Sequence, residues 1–330
     1  SEEAIAFVAV LMPLVLALGY DSIVAVAITY LACNLGFSAA MLNPFTVGIA
    51  QSIAGIQLYS GVEFRTLVWF VSTLVGCGFV MFYAMKIKKN PELSPMFEHD
   101  QVKREKLKST ESEHTEFTLR HKIIIAALFT SIALVVYGVL KLEFWIPQIA
   151  AVFLGLGIIS GLVGKLAPNE IAEAFTDGAK DMIGAAIMIG LAKSVMIIAQ
   201  NANIIDTILF NLANVVGQLP SLIASYIMFV IQMFINFFVS SGSGQAALTM
   251  PILAPLGDLV GISRQLSVLI YQLGDGFSNA MFPTSGVLIA CLGMAGVPYG
   301  KWLKWILPLQ AILFMTAIVF ITIASLIGWA

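Results

Sequence analysis

Charge is scarce in this chain of 330 residues: 11% are Asp, Glu, Lys or Arg, against 59% apolar. The mean hydropathy is +0.94. A soluble domain of that length cannot cover its surface with so few charges. Histidine is rarer still, and His99, His114 and His121 all fall in or beside one charged stretch. No HExxH pair therefore lies on an apolar helix, and a membrane-embedded zinc hydrolase loses its signature. There is no GxxxxGK[ST] phosphate loop, which argues against a self-contained ATP-driven pump. Cys33, Cys77 and Cys291 stand singly inside apolar segments, so they read as reduced packing residues without a disulfide framework or metal spacing. Neither an enzyme nor a metal or cofactor site is expected.

What the chain has in abundance is apolar runs close to the length of a bilayer span, at 66–83, 123–140, 146–163, 182–199 and 305–327. Lipid offers no partner to a free backbone amide, so these runs are expected to be helices of an all-α polytopic membrane protein. Residues 86–122 interrupt them with nine of the 17 basic residues, and read as a solvated linker without a core of its own. Placed in the cytoplasm, the linker brings Lys165, Lys180, Lys301 and Lys304 inside with it. Arg65, Lys141 and Arg264 then fall outside, and Lys193 lies within a helix.

One segment occurs twice. Gly36-Phe37-Ser38-Ala39-Ala40-Met41 returns 240 residues later as Gly276-Phe277-Ser278-Asn279-Ala280-Met281. Pro44 then matches Pro283, Gly61 matches Gly300 and Arg65 matches Lys304; carried backwards, the register sets residues 1–3 on 241–243. Each copy has a polar tip, an arm too short for comfortable spanning, a helix broken by Gly, Pro and polar residues, and a closing helix. The charge asymmetry holds only if one tip enters from each side, which makes the repeats inverted. The division expected is 1–85 for the rest of the first repeat, 86–122 for the linker and 123–330 for the second repeat. The latter would carry scaffold helices, an amphipathic stretch at 167–181, an interfacial helix at 203–217, a re-entrant hairpin at 221–260, a broken helix at 264–296 and a last helix at 303–328. The first copy lacks the upstream helices of the second. The repeat logic therefore expects about 100–150 further residues ahead of Ser1.

Discontinuous helices at matching places in two halves point to a transporter's midplane site. Single kinks are common in membrane helices; two matched breaks dressed with Ser, Asn, Thr and Asp call for a ligand. The expected constellation is Glu2 and Glu3 at the first tip with Ser38, Asn43 and Thr46 at the first break. The second tip contributes Ser241, Gly242, Ser243, Gly244 and Gln245, and the second break Asp275, Ser278, Asn279, Thr284 and Ser285. Small residues let backbone approach a solute, and neutral polar groups replace its lost water. Carboxylates at bilayer depth need a cation, a proton or the substrate beside them; Lys193 is the structural alternative. With no basic cluster in the breaks, a cationic amino acid suits the site better than a dianion. Phe237, Phe238, Trp69 and Trp302 read as lipid-facing or interfacial.

The same residues carry a family resemblance. SEEAIAFVAVLMPLVLALGYDSIVAVAI, NPFTVGIAQ, SSGSGQAALTMPILAPLGDLVG and DGFSNAMFPTSGVL resemble the YfcC family, which belongs with the anaerobic C4-dicarboxylate carriers in the ion transporter superfamily. The resemblance implies a multi-pass carrier of the cytoplasmic membrane, commonly a homodimer, with paired hairpins and broken helices. It implies a secondary active transporter and leaves the cargo between two kinds of member, basic amino-acid antiporters of the arginine/ornithine type and dicarboxylate carriers; the acidic site ranks the amino-acid antiporter first. The alternative is a C4-dicarboxylate carrier coupled to sodium or protons; a channel ranks lower, and nucleic acid is not a partner. Superfamily relatives carry Ser-Asn-Thr signatures at both tips. Here only Ser278-Asn279 with Thr284 approaches the pattern, and both coupling ions stay open.

Overall fold

The structure is a computed structural model that describes residues 4–111, 118–142, 144, 146–202, 204, 207, 211, 214 and 216–329. Glu2, Glu3 and most of the stretch expected to be an interfacial helix at 203–217 lie outside the described residues, as does the side chain of Lys193. Among the described residues all regular structure is helical. The chain divides into two units, one of Ser1–Arg104 with Gly184–Ala330 and one of Glu105–Ile183.

In the first unit, α1 (Ala4–Ala17) is too short to span a bilayer by itself. Asp21 caps α2 (Ser22–Ser38), its side chain accepting from the Val24 amide at 2.9 Å. A π-helical turn at Ala27–Leu31 widens α2, and the Thr29 hydroxyl there bonds back to the Ala25 carbonyl at 2.8 Å. Asn43, accepting from the Phe45 amide at 2.8 Å, then starts α3, which is π-helical over Pro44–Gly48 and α-helical over Ile49–Ala54. Gly55 closes α3 at φ 69° and Gly61 opens α4 (Val62–Lys89) at the same φ, a left-handed geometry that glycine adopts without a steric penalty.

After a short 3₁₀ turn at Pro91–Leu93, α5 (Phe97–Glu111) runs through the stretch read as a solvated linker. That reading needs correction. Ser94, Met96 and Asp100 are buried, because Asp100 accepts from the Ser22 amide at 2.7 Å and the Ser94 hydroxyl donates to Asp21 at 2.6 Å. Lys103 reaches further, donating to the Ala295 carbonyl at 2.7 Å, so this segment docks on the ends of two helices from opposite halves of the sequence.

The second unit packs α6 (Leu119–Lys141) on α7 (Ile146–Gly164), followed by the first part of α8 (Pro168–Asn201). Gly157 and Gly161 of α7 face Phe175 and Ile171 of α8, so small residues allow the close approach that membrane helices use. The amphipathic stretch and the helix at 182–200 were expected as separate elements. They form one continuous α8, since nothing stronger than glycine interrupts them.

The rest of the first unit is α9 (Ser221–Phe238), α10 (Gly242–Leu259), α11 (Arg264–Ser278), α12 (Gly286–Ala295) and α13 (Tyr299–Leu326). The central element is α11: Ser263 caps it, accepting from the Leu266 amide at 3.1 Å, and every residue from Gln265 to Ser278 is buried. It packs against α2, α3, α9, α10 and α13. Among the described residues three helices (α4, α9 and α13) are long and apolar enough to cross a membrane by length and composition. For α9, read above as one arm of a re-entrant hairpin, 18 residues suffice for a crossing. Leu67, Phe70, Leu74, Met81 and Phe82 on α4, and Met315, Val319 and Leu326 on α13, face outward. Such continuous apolar exposure suits lipid and would be an aggregation hazard in water.

Candidate functional site

Both copies of the repeated Gly-Phe-Ser segment end a helix, α2 at Ser38 and α11 at Ser278, and the chain stays irregular through 39–43 and 279–285. The two ends meet. A Cβ added to Gly276 would overlap the Cα and Cβ of Ser38, and the Asn34 amide donates to the Gly276 carbonyl at 3.2 Å. The Ser38 and Ser278 hydroxyls bond back to Asn34 at 2.5 Å and Gly274 at 2.6 Å, the ordinary fate of a hydroxyl at a helix end. Neither is thereby a free ligand group.

Asp275 sits one residue before this crossing, completely buried. Neither of its carboxylate oxygens receives a well-formed hydrogen bond among the described residues, although Asn279 lies beside it. The tip between α9 and α10 comes directly to it. A Cβ built on Gly242 would stand 3.2 Å from the Asp275 carboxylate, 2.7 Å from the Thr46 methyl and 3.0 Å from the Phe37 ring. Thr46 is buried, and neither its hydroxyl nor that of Thr284 has a hydrogen-bond partner among the described residues. The structure thus brings Gly242, Thr46 and Asp275 together at the crossing. Polar atoms buried without a partner are expensive, which sets this place apart from the rest of the apolar interior.

Most of the other expected residues that are described bond to their own neighbours. Ser241 caps α10, accepting from the Gly244 amide at 3.4 Å, while Gly244 and Ser243 belong to the first turn of that helix. Gln245 is buried and donates to the Gln232 side chain at 2.8 Å, leaving its own amide oxygen without a donor. Asn43 spends its side chain on capping α3. Ser285 caps no amide with its side chain, and its hydroxyl lies 3.4 Å from that of Tyr30.

Several residues had no signal in the repeat. The amide of Asn236 contacts the Asp275 carbonyl at 2.9 Å, the Ser278 hydroxyl at 2.8 Å and the Asn279 side chain at 3.0 Å. Gln232 ties Gln245 and Thr249 together. Both lie inside the apolar stretch of α9, where two polar residues at i and i+4 on one face were the clue. Trp302 was expected at the lipid face or the membrane interface. It is instead fully buried, its indole donating to the Ala280 carbonyl at 2.9 Å, because the broken helix leaves a carbonyl that needs a donor. Tyr299 donates to the Met281 carbonyl at 2.7 Å, Tyr30 to that of Asn279 at 3.0 Å and Ser240 to that of Thr284 at 2.8 Å. The carbonyls of Asn279, Ala280, Met281 and Thr284 are therefore occupied by side chains. Among the described residues no cluster of three metal-ligating side chains occurs.

This chain belongs to the DcuC family, described as C4-dicarboxylate anaerobic carriers, whose family model matches residues 1–326, and its apolar helices agree with a membrane transporter. It is 42% identical over 339 residues to an Escherichia coli K12 protein named "Putative basic amino acid antiporter YfcC", covering 99% of this chain and 67% of that protein. It is 35% identical over 316 residues to an uncharacterized Haemophilus influenzae protein, covering 95% of this chain and 62% of that one. The chain thus spans about two thirds of the length of these relatives. A solved structure of Neisseria gonorrhoeae MtrF, presented as illuminating a class of antimetabolite efflux pumps, is similar at 19% identity and a TM-score of 0.49. That likeness covers 95% of this chain and 69% of MtrF. The family description and the name of the Escherichia coli relative are those of a carrier and an antiporter, and point to a transporter rather than an enzyme.

Proposed function

We propose that this chain forms the core of a secondary active antiporter that exchanges basic amino acids by alternating access across the cytoplasmic membrane. One observation carries the choice of cargo: Asp275 is buried without a cationic partner among the described residues, next to the tip glycine Gly242. An uncompensated carboxylate at bilayer depth costs roughly 3 kcal/mol or more, and an ammonium or guanidinium group of the cargo offsets that cost. Thr46, which meets the same tip glycine, supplies a neutral hydroxyl beside it. The name of the Escherichia coli relative agrees with this reading, whereas the family description favours a C4-dicarboxylate.

In this reading α9 and α10 form a hairpin whose tip meets the α2/α11 crossing, and residues 1–85 and 123–330 are inverted repeats that rock about it. Residues 86–122 are cytoplasmic, the assembly is a homodimer, and a proton or sodium ion is the coupling partner if exchange is not strict. The deciding experiment reconstitutes the full-length protein in liposomes and follows counterflow of labelled arginine, ornithine and succinate. Saturable arginine uptake that requires internal amino acid supports the antiporter; uptake of succinate alone overturns it. For orientation, a cysteine at position 92 should react only from the cytoplasmic side and one at position 141 only from outside. Labelling of both from one face refutes the inverted arrangement.

A further inference from the structure

Arg65 stands in the first turn of α4 and is 1% exposed. A guanidinium stays charged at any physiological pH, and burying it without an anion is costly. Its acceptors among the described residues are nonetheless neutral: the amide oxygens of Gln272, 2.6 Å from Nη1, and Gln265, 3.2 Å from Nη2. Its Nε has no acceptor. The two glutamines are themselves held in place. Gln272 donates to the Ala40 carbonyl of the first break at 2.6 Å, and Gln265 donates to the Ser60 hydroxyl. The planar fork is therefore fixed in position, its two Nη groups on exchangeable neutral acceptors and its Nε without one among the described residues, and such a fork matches a carboxylate through two parallel N–H bonds.

Two further features turn this buried charge toward a ligand. Gln272 precedes Asp275 by three residues on α11, so the two lie about 4.5 Å apart along the helix axis and on adjoining parts of its surface. A buried cation and a buried anion thus flank one turn of α11. In addition, the Trp329 ring covers Arg65 at 5.3 Å and borders a cavity of about 410 Å³, lined also by Ser263 and Leu266.

We propose that Arg65 is a specificity-determining residue that binds the carboxylate of the cargo. The carboxylate displaces the amide oxygen of Gln272, and Trp329 is the movable cover between Arg65 and the 410 Å³ cavity. This deepens the antiporter reading and rests on it for the ammonium end only, since a dicarboxylate would meet Arg65 in the same way.

The test uses the full-length protein in liposomes and compares arginine with agmatine, its decarboxylated amine, and succinate with succinamate, in which one carboxylate is capped. Wild type should favour arginine over agmatine by about tenfold or more. Arg65→Gln should shrink that ratio to within about twofold, and Arg65→Lys, which keeps the charge but loses the fork, should fall between. The proposal is overturned if wild type treats the two amines alike, or if Arg65→Gln slows both by one factor, as a structural role requires. Should Arg65→Gln fail to fold, Gln272→Glu decides. Its carboxylate would occupy Arg65, abolishing the arginine preference without lowering the melting temperature, and retention of the preference overturns the proposal. If wild type exchanges succinate but neither amine, the amino-acid reading fails while Arg65 is judged by the same ratio on succinate and succinamate. Transport of none of the four overturns both.

Discussion

The side-chain amide of Asn236 donates to the backbone carbonyl of Asp275 at 2.9 Å, joining the middle of α9 to the residue that carries the buried charge of α11. Because the same amide also contacts Ser278 and Asn279, one side chain fixes the end of α11. Asn236→Ala leaves those acceptors buried and should lower stability by about 1–3 kcal/mol. A melting temperature in detergent equal to that of wild type would show the amide to be dispensable.

Asp275→Asn preserves shape and removes the charge. Its expected effect is a sharp loss of affinity for arginine, at least about tenfold, or a flattened dependence of uptake on pH, with the fold intact. The informative contrary result is unchanged affinity and pH profile with reduced thermal stability. The carboxylate would then be structural, and the dicarboxylate reading would move ahead.

Gly242 and Gly244 both suit a tip that approaches a solute, but the structure separates them. A side chain at Gly242 runs into Thr46, Phe37 and Asp275, whereas one at Gly244 meets its own capping residue, Ser241, at 3.2 Å. Gly242→Val should therefore abolish transport while expression remains near normal, and Gly244→Val should reduce it only several-fold. Equal activity of the two variants in counterflow would place the tip away from the solute.

Asp21 lies between α1 and α2, where burial raises its carboxyl above the usual carboxylate range despite the bonds from Ser94, Tyr83 and the Val24 amide. The folded protein thus holds this proton more tightly than the unfolded chain. The stabilisation is complete below the ordinary carboxylate value and is lost as pH rises through the raised one. Asp21→Asn removes the titration. The melting temperature of wild type relative to that variant should rise as pH falls from about 7 to about 4, and a difference independent of pH would sink the assignment.

The breaks at Ser38 and Ser278 were legible because glycine, proline and clustered polar residues weaken helices locally, whatever surrounds them. Asp275 stood out for a similar reason, as a charge inside an apolar run. Arg65 was visible as a residue but not as a buried one. Its sequence neighbours are those of a solvated helix start, and only the packing of α11 against it supplies Gln265 and Gln272 from 200 residues away. Trp302 misled for the complementary reason. Tryptophan favours membrane interfaces on average, yet here the free carbonyl of Ala280 provides a specific partner at depth. The docking of Asp100 on Ser22 was hidden because charge density in 86–122 reads as hydration.

The pinned carbonyls of the second break also bear on how such a molecule moves. Tyr30 comes from α2, Ser240 from the turn before α10, and Tyr299 and Trp302 from α13. Releasing all four would forfeit about 0.5–1.5 kcal/mol for each bond and strand buried carbonyls besides. Residues 279–285 are therefore poorly suited to act as a flexing joint or to rewind into helix when the solute leaves. They behave as a knot tied to three neighbours, and under the alternating access proposed above, any displacement that exposes Asp275 first to one side and then to the other must carry that knot whole.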